Sequence, residues 1–414
     1  VGEGLLRAIA ESVGTPAYVY DAEAVRERYR RLDAALAPMP HRICYSVKAN
    51  ANLALLAVLR SLGAGADIVS GGELVRCRRA GFAGPQIVFS GVGKTREELR
   101  AAVEAGVGLI NVESGEELAE LADVARGAAR TANIGIRVNP EVMVETHPYT
   151  QTGARGTKFG VALDEAVTLC ERAAGAQGLA LRALAMHLGS QITEAGPYVE
   201  GLLKLLELAA DVRGRGAPLE ALDLGGGLAI GYRDGEPGLD AQTFADAVLP
   251  HLATSRLTLV VEPGRFLVGN AGVLLTRVLY RKRSGGRMIA VVDAGMTDLI
   301  RPSHYRAYHD IRLVGDGAGR PPVRYDVVGP ICESGDFFAL NREMPRLERG
   351  DLLAVCGAGA YGFVMTSVYN ARPRPPEVLL DGDRYAVVRS RETTEDLLHG
   401  ETGEPAWRRV ASVT

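Results

Sequence analysis

Between Arg42 and Glu262 short apolar runs alternate with stretches whose apolar positions recur every three or four residues. The runs at 42–47, 67–69, 87–90, 109–112, 134–138, 183–187, 221–224 and 258–262 read as eight strands. Helical periodicity falls between them, at 52–62, 97–105, 116–125, 163–173, 198–212 and 244–252, with a further helix before the set at 22–36. Strand–helix alternation implies a parallel sheet with helices outside. Eight such units point to a closed (β/α)8 barrel of the TIM type, with an open doubly wound sheet as the alternative, since periodicity does not report closure.

After Arg265 the pattern changes. Segments 272–283, 288–292, 323–328 and 352–355 are strand-like, separated by Gly, Pro and Asp, with little helical periodicity. They read as a second, all-β domain of antiparallel type, sandwich- or barrel-like. The expected division is a barrel over 21–265 and a β-domain over 266–414, to which 1–20 contribute.

The unusual polar residues give the barrel reading its weight. Lys48, Ser90, Asn111, Arg137, His187, Gly225 to Gly227 and Glu262 to Arg265 fall at or just beyond strand ends, which a barrel places on one rim. Asp67 is the exception, because it opens its strand as drawn.

Composition narrows the function classes. With 414 residues there is room for two sizeable cores, and 23% charged with 47% hydrophobic residues is ordinary for a globular protein. A net charge of −3 without a long basic run argues against nucleic acid as a partner. No apolar run approaches bilayer length, so no membrane partner is expected, and Val1-Gly-Glu-Gly-Leu-Leu6 lacks the pattern of a secretory signal. The cysteines, 44, 77, 170, 332 and 356, are odd in number and form no Cys-x-x-Cys pair. A cytoplasmic location is therefore expected, without a disulfide framework or a structural zinc site.

Each candidate segment has a plain reading beside a chemical one. Lys48 in Cys44-Tyr-Ser-Val-Lys-Ala-Asn50 is either a solvated lysine or an amine held where βα-loops carry chemistry. Gly225-Gly-Gly227 is either a tight turn needing positive φ or a bare backbone on which N–H groups converge on a phosphate. It is not Gly-x-Gly-x-x-Gly, so a dinucleotide site is not indicated. Glu262-Pro-Gly-Arg265 is either a turn whose charges pair with each other or a carboxylate and a guanidinium facing a ligand. His187 is either a core histidine or a ring lying against a flat ligand, with Ser190 in reach of a phosphate. Cys332 is either a buried hydrophobe or, beside Glu333 and small residues, part of an active-site loop. Arg301 and Tyr305 are either a surface loop or a carboxylate-binding pair. Tyr361 stands between small residues that would let a ligand approach. The segment from His147 to Gly153, followed by Lys158-Phe-Gly160, reads as a loop, either over the barrel mouth or on the plain surface.

Taken together and in order, these segments resemble the motifs of the pyridoxal-phosphate-dependent diaminopimelate decarboxylases, from Thr15-Pro-Ala-Tyr-Val-Tyr20 to Asn370-Ala-Arg-Pro-Arg-Pro-Pro376. His304 and Val368 depart from the expected pattern, and neither is a catalytic candidate. The resemblance implies decarboxylation of meso-2,6-diaminopimelate to L-lysine and CO2, the last step of lysine biosynthesis. It implies that Lys48 holds pyridoxal 5'-phosphate as a Schiff base and that Cys332 returns a proton. Asp67, His187, Ser190, Gly225, Gly226, Gly227, Glu262, Gly264, Arg265 and Tyr361 would hold the cofactor, and no metal is required. Arg265, Arg301, Tyr305, Glu333 and Tyr361 would hold the substrate. It further implies a homodimer in which each site receives the Cys332 loop of the second subunit. The rivals are a decarboxylase of the same class acting on ornithine, arginine or lysine, a barrel-type racemase, and a non-catalytic regulator. The first lacks a distal carboxylate for Arg265 and Arg301, the second is not expected to carry the Cys332 loop, and the third has no use for Lys48, Glu262 and Cys332 together.

Overall fold

The computed structural model describes residues 2–144, 147, 149, 151–153, 155–233, 235–315 and 317–408. The eight runs are strands, and they close. In chain order they are β2 (His41–Ser46), β3 (Gly65–Ile68), β4 (Ile87–Phe89), β5 (Leu109–Val112), β6 (Ala132–Asn139), β8 (Leu179–Ala185), β9 (Ala221–Asp223) and β10 (Thr258–Val261). Each pairs in parallel with the next, and β10 returns to β2. A two-residue strand, β7 (Val161–Ala162), sits beside the end of β6 and takes no part in closure.

Closure explains why these strands read as continuous apolar runs, since both faces of each strand are buried. Inward-facing Cys44, Val88, Leu109, Ala183 and Val260 form a separate small cluster. The outer faces pack against helices whose starts are set by polar caps. Asn52, Ser70, Thr95 and Ser114 each accept a hydrogen bond from a first-turn N–H of the helix they begin. Every such cap ends a βα-loop, so the chemistry that starts the helices also fixes the loops at the barrel mouth.

The second sheet has nine strands: β1 (Ala17–Asp21), β11 (Gly272–Ser284), β12 (Arg287–Val292), β13 (Ile311–Leu313), β14 (Pro322–Val328), β15 (Phe337–Pro345), β16 (Leu352–Val355), β17 (Glu377–Asp381) and β18 (Arg384–Arg389). It is mixed, which corrects the antiparallel expectation: β1 runs parallel to β17, and β12 parallel to β14. Those pairs join strands distant in sequence, for which strand patterning carries no direction. An amphipathic helix α1 (Glu3–Val13), absent from the expected elements, buries Leu6, Ile9 and Ala10 with β-domain residues such as Leu275 and Val378.

The two ends of the chain meet around one buried carboxylate. Glu377 of β17 accepts a hydrogen bond from the Tyr20 hydroxyl of β1 at 2.8 Å and pairs with Arg389 of β18. An unpaired buried carboxylate is costly, so this pair couples the two termini. Arg389→Met should lower unfolding free energy by roughly 2–3 kcal/mol in denaturant titration, below the usual range for a broken buried pair because Arg389 keeps 33% of its side chain exposed. Adding Glu377→Gln should recover most of that loss. A single mutant as stable as the parent would show that the pair does not couple the ends.

Candidate active site

Lys48 follows β2 in a short 3-10 turn at the carboxyl end of the barrel. Its Nζ lies 3.1 Å from Asp67 Oδ2, which also accepts the Ser46 hydroxyl at 2.6 Å. Because β3 spans Gly65–Ile68, Asp67 stands near the carboxyl end of its strand, and the expected exception to the rim disappears. The sequence pattern had missed the first two residues, Gly65 and Ala66, which carry no β-branch to mark them. Burial acts to lower the Lys48 amine, but Asp67, Tyr361 and Glu262 outweigh it and hold the pKa above its ordinary value.

A cavity of about 400 Å³ opens on this amine, lined among others by Ser90, Asn111, Arg137, His187, Asp223 and Glu262. Two buried carboxyl groups, Asp223 and Glu262, line it, and a third, Asp67, is buried beside Lys48. Burial and the neighbouring Asp223 and Asp67 push the Glu262 carboxyl well up, while burial raises Asp223 to about 6. Asn111 Nδ2 reaches both Asp223 Oδ2 and Ser90 Oγ at 3.2 Å, and Ser90 lies 3.4 Å from Glu262 Oε1.

His187 lines the same cavity, partly exposed to it, and desolvation together with Lys48 and Arg137 holds its pKa well below the ordinary value, so the imidazole is neutral. Its Nδ1 accepts the Gly226 N–H at 3.1 Å, which leaves the proton on Nε2. The Gly225 N–H goes to Asp223 Oδ1 at 2.9 Å. Two of the three glycine donors are thus used inside the protein, and three converging donors are not what this structure contains. The glycines answer first to packing. A Cβ on Gly226 would stand 2.1 Å from Glu262 O, and Gly225 and Gly227 both have positive φ. The tight-turn reading is therefore met here.

Glu262 and Arg265 do not serve each other. Arg265 donates from Nη1 to the Tyr232 hydroxyl at 2.5 Å and from Nη2 to Ser190 Oγ at 2.8 Å, with its guanidinium 4.8 Å from the Tyr361 ring centre. It lines a second cavity of about 570 Å³, which shares Thr152 and His187 with the first and also contains Ser190, Arg301, Tyr305 and Tyr361. Arg301 is buried, not a surface arginine; its Nη1 bonds His309 Nε2 at 2.8 Å, and its guanidinium lies 4.9 Å from the Tyr232 ring centre. His309 donates from Nδ1 to Cys356 O at 2.8 Å, and burial lowers its pKa to about 3. A neutral imidazole therefore accepts from Arg301 and fixes the direction of the guanidinium.

Tyr361 has φ of 55° and donates its N–H to Ala49 O at 2.8 Å. Asn50 Nδ2 donates to Gly359 O at 3.0 Å, so the β-domain segment is clamped on the Lys48 turn. The flanking glycines serve that clamp more than ligand approach, since a Cβ on Gly359 would meet Val268 O at 1.9 Å and one on Gly362 would meet Ala358 O at 2.5 Å. Thr152, whose hydroxyl donates to His187 O at 2.7 Å, brings the 147–153 segment over the mouth, and His147 packs on Tyr305 with ring centres 5.4 Å apart. Pro148 and Thr150 of that segment lie outside the described residues.

Cys332 is exposed, as is Glu333, on a turn anchored by Asn370 Oδ1 on the Cys332 N–H at 2.9 Å and by Asp336 on the Ile331 N–H at 2.7 Å. Neither lines the two cavities of its own chain. Gly264 is buried against Ser46 and Ala49, where a Cβ would meet their side chains at 3.0 and 2.9 Å. Tyr232 and His309 were not among the candidates. Tyr232 follows Gly231 in an irregular segment, and only its contacts with Arg265 and Arg301 mark it. Among the described residues no group of three metal-ligating side chains occurs, and no helix is long and apolar enough to cross a membrane.

The residues suit a planar aldehyde cofactor with a phosphate and a basic ring nitrogen. The cavity offers one amine for the aldehyde and more buried carboxyl groups than cations to balance them. Asp67 Oδ1 and Arg265 Nε are buried without a partner.

Residues 22–269 match the family model described as pyridoxal-dependent decarboxylase, pyridoxal binding domain. The diaminopimelate decarboxylase of Pseudomonas aeruginosa is 50% identical over 399 residues, covering 96% of this chain and 95% of the relative. The crystal structure of diaminopimelate decarboxylase from Helicobacter pylori complexed with L-lysine is 37% identical, with a TM-score of 0.91 over 95% of this chain and 98% of that one. That of the M. jannaschii enzyme in co-complex with L-lysine is 34% identical, also with a TM-score of 0.91, over 96% of this chain and 94% of that one. Sequence and fold agree across nearly the whole length, and the chain belongs to the diaminopimelate decarboxylase family of pyridoxal-dependent decarboxylases.

Proposed function

We propose that this protein decarboxylates meso-2,6-diaminopimelate to L-lysine and CO2 with pyridoxal 5'-phosphate bound at Lys48, the last step of lysine biosynthesis. The observation that carries the reading is the pairing of two joined cavities, one holding an amine among buried carboxyls, the other holding two buried guanidiniums. The first suits the cofactor. The second suits the distal carboxylate of a dicarboxylic amino acid, which ornithine and free diamines lack. A lysine/ornithine decarboxylase from Vibrio vulnificus shares the fold at 22% identity, so fold alone does not choose the substrate. The arginines support the choice.

When bound, the cofactor supplies an electron sink for the bond to the departing carboxylate. Lys48 is the residue to hold it, and Asp67 keeps that amine directed into the cavity. Glu262, raised by burial and by its acidic neighbours, is suited to a cationic ring nitrogen, which would draw it back to the ionised form. Neutral His187 offers a flat face without a charge to disturb that balance. Ser190, Gly227 and Arg265 would offer donors to the phosphate, with Gly225, Gly226 and Gly264 shaping the turns that place them. Arg301, aimed by His309, together with Arg265, Tyr305 and Tyr361, would hold the far end of the substrate.

Cys332 and Glu333, exposed on their own chain, would enter the site of a second copy. There Cys332 would return a proton to the α-carbon and Glu333 would meet the distal ammonium. The assembly we propose is accordingly a two-fold homodimer. We divide the chain into a barrel over 21–265 and a β-domain over 266–414 completed by 1–20; sheet membership supports this except at Asp21, the last residue of β1, which pairs in the β-domain sheet. Five free cysteines are consistent with a cytoplasmic enzyme.

Incubating the cofactor-loaded protein with meso-diaminopimelate should release CO2 and lysine, with ornithine and arginine far poorer; preference for ornithine would overturn the substrate assignment. Lys48→Ala should abolish covalently held cofactor, and borohydride reduction of the parent should trap it on the peptide containing Lys48. Trapping on another lysine would refute that role.

Arg301→Ala should reduce kcat/KM for diaminopimelate by roughly 1.5–3 kcal/mol of transition-state binding, the worth of a charge-assisted hydrogen bond, while changing cofactor Kd far less. A mutant that mainly loses cofactor would move Arg301 to the phosphate site.

Dimers formed at random from equal amounts of Lys48→Ala and Cys332→Ala chains test the shared site. About half would be heterodimers, each with one doubly lesioned and one intact site, so about a quarter of parental activity should return. Subunit exchange proved with two tags, yet without recovered activity, would rule out sharing.

A further inference from the structure

One wall of the Lys48 cavity is built from Ser90 to Gly93, Asn111, Arg137 and Phe159. Behind it stands Glu113, the residue after β5, with 2% of its side chain exposed. Its Oε1 accepts from Arg137 Nη1 at 2.8 Å and from the Gly91 N–H at 2.9 Å. Its Oε2 accepts from the Gly160 N–H at 3.0 Å. Its own N–H donates to Glu117 Oε2 at 2.9 Å, and Glu117 Oε1 pairs with buried Lys94 at 2.7 Å. Lys94 in turn donates to Gly91 O and Asn111 O, both at 2.7 Å. One carboxylate thus joins the ends of β4, β5 and β6 with the segment leading into β7.

Both oxygens of Glu113 are needed as acceptors. A glutamine could keep Arg137 and Gly91 on its oxygen, but its amide NH2 would then face the Gly160 N–H, donor against donor. Gly160 cannot adjust freely, because its φ is +68° and even a Cβ added there would stand 2.9 Å from the β6 backbone. Phe159, next to it, carries the Arg137 guanidinium 4.9 Å from its ring centre. Arg137 is therefore gripped on one side by Glu113 and on the other by a ring whose position Glu113 also sets. Purely structural carboxylates of this kind occur. What distinguishes this one is that its charged partner is itself a cavity-lining group.

We infer that Glu113 is a positioning residue for cofactor binding, acting through Arg137 and the loop from Lys158 to Gly160. The inference rests on the reading that this cavity takes pyridoxal 5'-phosphate.

A double-mutant cycle tests it. Cofactor Kd is measured by equilibrium dialysis for the parent, Glu113→Gln, Arg137→Met and the double mutant, alongside thermal unfolding of each cofactor-free protein. Each single change should raise Kd roughly ten-fold or more, the scale of a lost charge-assisted hydrogen bond. The double mutant should be no weaker than the worse single, because both lesions remove the same placement of Arg137. Glu113→Asp, which keeps the charge one methylene short, should fall between the parent and Glu113→Gln, and it takes the place of Glu113→Gln in the cycle if that protein fails to fold. Parental Kd in the Glu113 variant, with only a lowered melting temperature, would overturn the inference. So would a double mutant whose loss is the product of the two single losses. A parent protein that binds no pyridoxal 5'-phosphate would instead remove the reading on which the inference stands.

Discussion

The burial of three carboxyl groups around one amine is the constraint from which the rest of the site follows. Asp67 of β3, Asp223 of β9 and Glu262, next after β10, are brought together only because the sheet closes. Left to themselves they cannot all be ionised in so dry a place, which is why Asp223 and Glu262 are held up. Folding therefore stores an unfavourable arrangement that a ligand with a positive centre relieves. A site of this kind favours a cationic ligand before any direct contact is counted, because binding lets a carboxyl ionise beside a cation.

The opposite problem is solved at the other end of the cavity. Arg265 and Arg301 repel each other, yet both are buried beside Tyr232. The phenol ring and hydroxyl soften that repulsion, and the neutral His309 directs one guanidinium without adding charge. An acidic base and a basic outer chamber are thus separated by His187 and Thr152, which line both. A molecule with an amine at one end and a carboxylate at the other meets a field that orients it.

The barrel was legible because its strands are buried on both faces, and continuous apolar runs leave a plain trace. In the β-domain, β18 carries Arg384 and Arg389 on a largely exposed strand, and β13 has only three residues, so neither leaves such a trace. The rim residues were legible because they end strands within recognisable motifs. Tyr232, His309 and Glu113 were not, because their roles depend on partners that the fold alone supplies. Asp67 was misplaced within its strand for a simpler reason: Gly65 and Ala66 have no side chain that signals β-structure. The glycine triplet is ambiguous in sequence for a related reason, since a backbone kept bare for packing looks the same as one kept bare for an anion.

The position of β1 between β11 and β17 has a consequence for how the molecule comes into being. This strand precedes the whole barrel in the chain, but both of its partners follow it. As synthesis proceeds from the amino terminus, β1 must remain unpaired while all eight barrel strands are made. The segment that carries Gly359 and Tyr361 arrives later still, so the wall clamped onto the Lys48 turn is laid over a barrel whose strands are already complete. The Lys48 amine is thus made early and enclosed late, and the chain cannot finish its chamber until its own beginning has found its place.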